Sequence, residues 1–100
     1  MISLSVPNLK GNELAYLKEC IKTEYVSSVG KFVSLFEKKI CKFTRSKYAV
    51  ACSSGTAALQ LALRVIGVKE NEEVIMPSMS FIATANAVRY LKATPIFMDC

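Results

Sequence analysis

The 100-residue sequence predicts an incomplete α/β fold, a short helical segment followed by the opening of a parallel sheet with crossover helices. Three observations carry this. From Lys47 onward, apolar runs of strand length alternate with helical runs in the order βαβαβ, and parallel strands require such crossovers. Before that point two helical stripes appear and no strand pattern does. Finally, the run Ser53-Ser54-Gly55-Thr56-Ala57-Ala58-Leu59 empties an apolar stretch through small hydroxyl residues and a glycine into a helix start. The chain is accordingly divided into residues 1–46, an N-terminal helical segment, and 47–100, the start of an α/β domain. Both are parts of one incomplete domain.

Each element has a local reason. Leu14, Leu17 and Ile21 make one stripe of a helix over Asn12–Thr23, with Asn12 or Gly11 at its start. A loop through Val26, Ser27, Ser28, Val29 and Gly30 leads to a second helix over Lys31–Phe43, where Phe32, Phe36, Ile40 and Phe43 repeat at helical spacing. Lys47–Cys52 is expected to be a buried strand and Ala57–Ile66 the helix after it. That helix has almost no polar face, so it is expected to be covered on most sides, and Gly67 stands where a left-handed C-cap favours glycine. A charged connector, Lys69–Glu73, precedes a strand over Val74–Met76, which Pro77 stops. Ser78–Ser80 lead into a helix over Phe81–Leu91, and a last strand, Pro95–Met98, ends at Asp99. Three such strands make a thin sheet with more buried character than this length covers, so the chain reads as the amino-terminal part of something longer.

Composition narrows the function. Apolar residues are 52% of the chain, enough for a core. No apolar run reaches the roughly 18–20 residues that span a bilayer, and the start lacks a basic, cleavable leader pattern, so no membrane partner and a cytoplasmic location are expected. The four cysteines, Cys20, Cys41, Cys52 and Cys100, show no CxxC pairing and are expected to be reduced. With no histidine and no ligand-like spacing, no metal is expected. The net charge of +5 concentrates in Lys31, Lys38, Lys39, Lys42, Arg45 and Lys47. These are read as the solvated face of the second helix rather than a nucleic-acid patch, since no aromatic–basic interleaving accompanies them.

The 53–59 run carries the chemistry. The first N–H groups of a helix have no intrahelical acceptor and sit at the positive end of its dipole, so a helix start after a strand is an anion site. Gly55 lets a phosphate approach the backbone, and Ser54 and Thr56 bring hydroxyl donors. Ser54 has a second reading, as the cap of the helix. The turn lacks a Walker lysine and the sequence has no GxGxxG, which excludes the common nucleotide motifs.

Beyond these local readings, an ordered set of segments resembles the DegT/DnrJ/EryC1/StrS family of pyridoxal-phosphate-dependent sugar aminotransferases. It runs through Val26–Gly30, Phe36-Glu37, Tyr48–Val50, Ser54–Leu59, Glu73–Ile75, Pro77-Ser78, Phe81–Val88 and Ala93–Asp99. The opening Leu4–Leu9 and closing Phe97–Cys100 look most like the LegC-type branch, which resembles perosamine synthetases and acts on UDP-linked 4-keto-6-deoxy sugars in legionaminic acid or related surface-glycan pathways. The resemblance implies the N-terminal part of an aspartate-aminotransferase-type (fold type I) large domain with an incomplete sheet. Its cofactor would be pyridoxal 5'-phosphate, at the interface of a homodimer. Gly55 and Thr56 match the phosphate-binding turn, with Ser54 a further candidate, and Phe81 matches the aromatic that stacks on the pyridine ring. The residues alone leave Phe81 open as a core aromatic at a helix start.

The implied activity is amination of a nucleotide-linked 4-keto-6-deoxy sugar for surface-polysaccharide biosynthesis, with an amino acid donor, glutamate by family expectation. The Schiff-base lysine and the acid facing the pyridine nitrogen are expected beyond residue 100, so no catalytic residue is assigned here and this length alone is expected to be inactive. In the usual sheet order of that fold the strand at 48–52 is not a neighbour of the one at 74–76. The isolated piece is then expected to expose strand edges and be unstable. Ser27, Ser28 and Gly30 are read either as near the mouth of a substrate site or as a polar turn, and Asp99 as structural. Two alternatives remain, a non-catalytic truncated remnant and a small α/β module that binds a phosphorylated ligand.

Overall fold

A computed structural model of the chain describes residues 5–99. It contains α1 (Glu13–Lys22), α2 (Lys31–Thr44), α3 (Gly55–Val65), β1 (Glu73–Pro77), α4 (Ile82–Arg89) and β2 (Thr94–Met98). The chain forms two compact units, Met1–Ala49 and Val50–Cys100.

In the first unit, α1 starts at Asn12, whose side chain makes no capping bond, and α2 ends at Arg45 in the left-handed region. Lys31 Nζ lies 2.7 Å from Glu19 Oε1, and the Tyr16 and Phe32 rings meet at 4.9 Å with a 40° tilt. The stripe expected on α2 is visible but partly open. Phe32 and Ile40 are half-buried, whereas Phe36 and Phe43 are exposed, and the lysines Lys38, Lys39 and Lys42 are all exposed. Cys20 and Cys41 are half-buried free thiols.

The second unit is a β1–α4–β2 crossover with α3 packed on α4. β1 and β2 pair in parallel, from Glu73 opposite Thr94 to Pro77 opposite Met98. The Thr94 N–H donates to the Glu72 carbonyl at 2.8 Å, beginning the ladder, and the Ser78 N–H donates to the Met98 carbonyl at 2.9 Å, closing it. Successive N–H groups in a strand point to opposite sides. Thr94 faces β1, so Pro95, which has no N–H, falls on the far side where β1 needs no donor.

The core of this unit is small-residue packing. Ala87 and Ala93 are fully buried, Val88 is 2% exposed, and Met76 and Ala85 complete the set. Alanine on the inner face of α4 lets the helix approach the strands and α3 closely. α3 ends in a Schellman motif, with the Val68 N–H on the Leu63 carbonyl and the Gly67 N–H on the Arg64 carbonyl, both at 3.1 Å. Gly67 has φ +91°, the left-handed conformation expected for it. The expected cover of α3 does not come from the described residues, since Leu59, Leu61, Val65 and Ile66 are exposed.

One expected element is absent. Residues 47–52 form no strand, and the two-stranded sheet consists of β1 and β2. A strand exists through its ladder, and the apolar run at 48–52 is not part of the β1–β2 ladder.

Two consequences are measurable. Val88→Ala removes two methyl groups from a closed site and is expected to cost about 1–3 kcal/mol, read as a lower denaturant midpoint at unchanged slope. The bond from Lys31 to Glu19, and then their charge attraction, raise the Lys31 pKa above 10.5. A raised basic pKa means that the pair's contribution is intact below the unfolded value and is lost as pH rises through the folded one. An NMR titration of Lys31 is expected to show the upward displacement, and Glu19→Gln to abolish it.

Candidate functional site

Ser54 has extended backbone angles, φ −158° and ψ 161°, and stands as the N-cap of α3. Its Oγ accepts from the Ala57 N–H at 3.2 Å, and its carbonyl accepts from the Ala58 N–H at 3.0 Å. The capping reading of Ser54 is thus realised. Its hydroxyl hydrogen is still a donor, so capping does not prevent a bond to an anion. The N–H groups of Gly55 and Thr56 have no intrahelical acceptor at these positions. No acidic residue occupies the first turn of α3, while Arg64 lies in its last turn, so side chains leave the positive N-terminal end uncompensated. A Cβ built on Gly55 meets nothing within 4 Å. The space before this backbone is open, and glycine keeps it so. Thr56 is half-buried.

The second cluster lies where β1 runs out. Because the register ends with Pro77 opposite Met98, the carboxyl ends of both strands are level. In open parallel sheets ligands gather at this edge. Phe81 is the N-cap of α4, with no side-chain capping bond, and the residue is 89% exposed. Among the described residues nothing buries it, so the core-aromatic reading has no support there. Ser80 Oγ and Thr84 Oγ1 are 3.0 Å apart across the helix entrance, and the Thr84 N–H donates to the Phe81 carbonyl at 3.1 Å. The ring is therefore free on a backbone that is held. No hydrogen bond or ring contact joins Phe81 to the 54–56 turn among the described residues; they share a unit in which α3 packs on α4.

Met79, which the sequence patterning does not single out, is 92% exposed beside Phe81. The available signal was a large apolar residue between two serines in a turn. Asp99 follows β2 at the same edge. In the other unit, Ser27 and Gly30 line a cleft of about 450 Å³ whose remaining walls include Leu17, Cys20, Ile21, Tyr25, Val26, Val29 and Phe32. Ser28 is not among its lining residues. Among the described residues no group of histidine, cysteine or acidic side chains could hold a metal ion, and no helix is long and apolar enough to cross a membrane.

A βαβ crossover preceded by a helix that starts at an open glycine defines an α/β protein. The comparisons narrow this. Residues 7–100 match the DegT/DnrJ/EryC1/StrS aminotransferase family, and the chain belongs to it. It is 47% identical over 98 residues to GDP-perosamine synthase of Caulobacter vibrioides, covering 98% of this chain and 26% of that protein. The aminotransferase from Psychrobacter cryohalolentis superposes with a TM-score of 0.85 at 30% identity, over 95% of this chain and 24% of that one. NtdA from Bacillus subtilis, whose structure has bound cofactor PMP, gives 0.76 at 37% identity, over 84% of this chain and 19% of that one. The chain thus spans about a quarter of the length of the curated relatives it matches. Its fold is the opening part of a fold type I large domain, with an incomplete sheet.

The cap makes a direct prediction. Ser54→Ala leaves the Ala57 N–H without its partner and is expected to cost about 0.5–2 kcal/mol, whereas Ser54→Asp retains the acceptor and much of the stability. Urea midpoints of the two variants check this.

Proposed function

We propose that this chain is the N-terminal segment of a pyridoxal 5'-phosphate-dependent aminotransferase that aminates a nucleotide-linked 4-keto-6-deoxy sugar, with an amino acid as donor. The observation that carries the reading is the open Ser54–Thr56 turn at the start of α3 in a chain of this family. The residues fit the phosphate and ring of that cofactor. Gly55 and Thr56 offer backbone N–H groups to the phosphate, the Thr56 and Ser54 hydroxyls add donors, and a side chain at Gly55 would project into the open space. Phe81 offers an exposed aromatic face at the sheet edge, suited to offset stacking on a flat heteroaromatic ring. When bound, the cofactor supplies an electron sink for moving a proton between donor and sugar carbons. The chain's own share is to bind and orient it.

The proton-moving lysine and the acid facing the ring nitrogen are assigned to the rest of the enzyme, as is the completion of a homodimer. Residues 1–46 serve in this reading as a helical lead-in, and 47–100 begin the cofactor-binding domain. A role in surface-polysaccharide biosynthesis in the cytoplasm accords with the reading. Two sugar classes are favoured by separate observations. The 47% identity to a GDP-perosamine synthase favours a GDP-linked substrate. The opening and closing segments, 4–9 and 97–100, favour a UDP-linked one of the legionaminic acid type.

The test is cofactor binding in the complete enzyme. Phe81→Ala is expected to weaken the cofactor complex about tenfold without lowering the melting temperature of the cofactor-free protein. Gly55→Ala is expected to weaken it too, and to reduce competition by inorganic phosphate, with stability unchanged. Wild-type affinity in both variants would remove this site from the reading.

A further inference from the structure

Large apolar side chains left in water need an explanation when they lie at a place where ligands bind. The most exposed large hydrophobic side chain among the described residues is Met79, at 92%, followed by Phe81 at 89%. They are two positions apart, in the turn between β1 and α4, at the carboxyl edge of the parallel pair. The turn is not loose. On one side, the Ser78 N–H donates to the Met98 carbonyl at 2.9 Å and ties the exit of β1 to the end of β2. On the other, Ser80 Oγ lies 3.0 Å from Thr84 Oγ1 and holds the entrance of α4. Met79 thus projects from a backbone anchored before and after it, and contributes nothing to the buried set of Met76, Ala85, Ala87, Val88 and Ala93.

We propose that Met79 is a second apolar contact to the flat ring of the cofactor, beside Phe81. This rests on the ring site proposed for Phe81 and extends it by one residue. The chemistry suits the role. A thioether on three rotatable bonds adapts to a planar edge, and sulfur–aromatic contacts are favourable. Phe81 supplies a rigid face, and Met79 an adjustable wall that excludes water from the ring. An aliphatic residue of similar volume would keep the exclusion and lose the sulfur contact.

The experiment is a titration of the cofactor-free complete enzyme with pyridoxal 5'-phosphate, followed by the absorbance and fluorescence of the bound ring, together with melting of the cofactor-free protein. Met79→Ala is expected to raise the dissociation constant about two- to tenfold at unchanged melting temperature, and Met79→Leu to recover part of the loss. Wild-type affinity in Met79→Ala, alongside weakened binding in Phe81→Ala, would overturn the inference and leave the ring site standing. Wild-type affinity in both would remove the ring site itself. A lowered melting temperature in Met79→Ala with unchanged affinity would make Met79 part of a core completed by the rest of the enzyme, and would equally overturn the proposal.

Discussion

Two parallel strands cannot be joined by a tight turn, so the chain between β1 and β2 has to cross over and return to the same end of the sheet. In the 50–100 unit that crossover is α4, and the remaining features of the unit follow from seating it. Ala85, Ala87 and Val88 are its buried residues, Ala93 is buried at its exit, and Met76 is buried in β1. The seat is made of small side chains, which sets a short helix-to-sheet distance and leaves little room for substitution. The register that results levels the carboxyl ends of both strands, and that is where Phe81 and Met79 stand exposed.

The two candidate clusters use different physics. The Ser54–Thr56 turn relies on backbone donors that a helix start cannot satisfy internally, with the residue types chosen to leave those donors approachable. The 79–81 turn relies on apolar surface. In the proposed reading the first would take the charged end of a phosphorylated aromatic molecule and the second its flat face. The backbone around both is held by hydrogen bonds, from the Ala57 N–H to Ser54 Oγ in one and from the Ser78 N–H to the Met98 carbonyl in the other. Preorganisation of this kind reduces what must be ordered when a ligand arrives.

The exposed apolar surface elsewhere has a consistent physical sense. α3 carries apolar side chains around most of its circumference, yet none of its residues is buried among the described set. Likewise Phe43 and Phe36 on α2 stay open. The chain spans about a quarter of the length of the curated relatives it matches.

Local patterning determined much of this protein. The stripes Leu14–Leu17–Ile21 and Phe32–Phe36–Ile40–Phe43 placed α1 and α2, Gly67 marked the left-handed end of α3, and Pro77 the end of β1. Serine, glycine and threonine before an apolar helix marked the capped start of α3. These are readable because caps, periodicity and φ restrictions act within a few residues. Other features required the tertiary structure. The run at 48–52 has the composition of a strand but becomes one only with a neighbour, which no local signal supplies. The exposure of Phe81 and Met79 was equally hidden, since an aromatic at a helix start can be core or surface. Only the pairing of β1 with β2 and the seating of α4 decide which side chains remain outside, because burial belongs to the whole set of packed elements and not to any one segment.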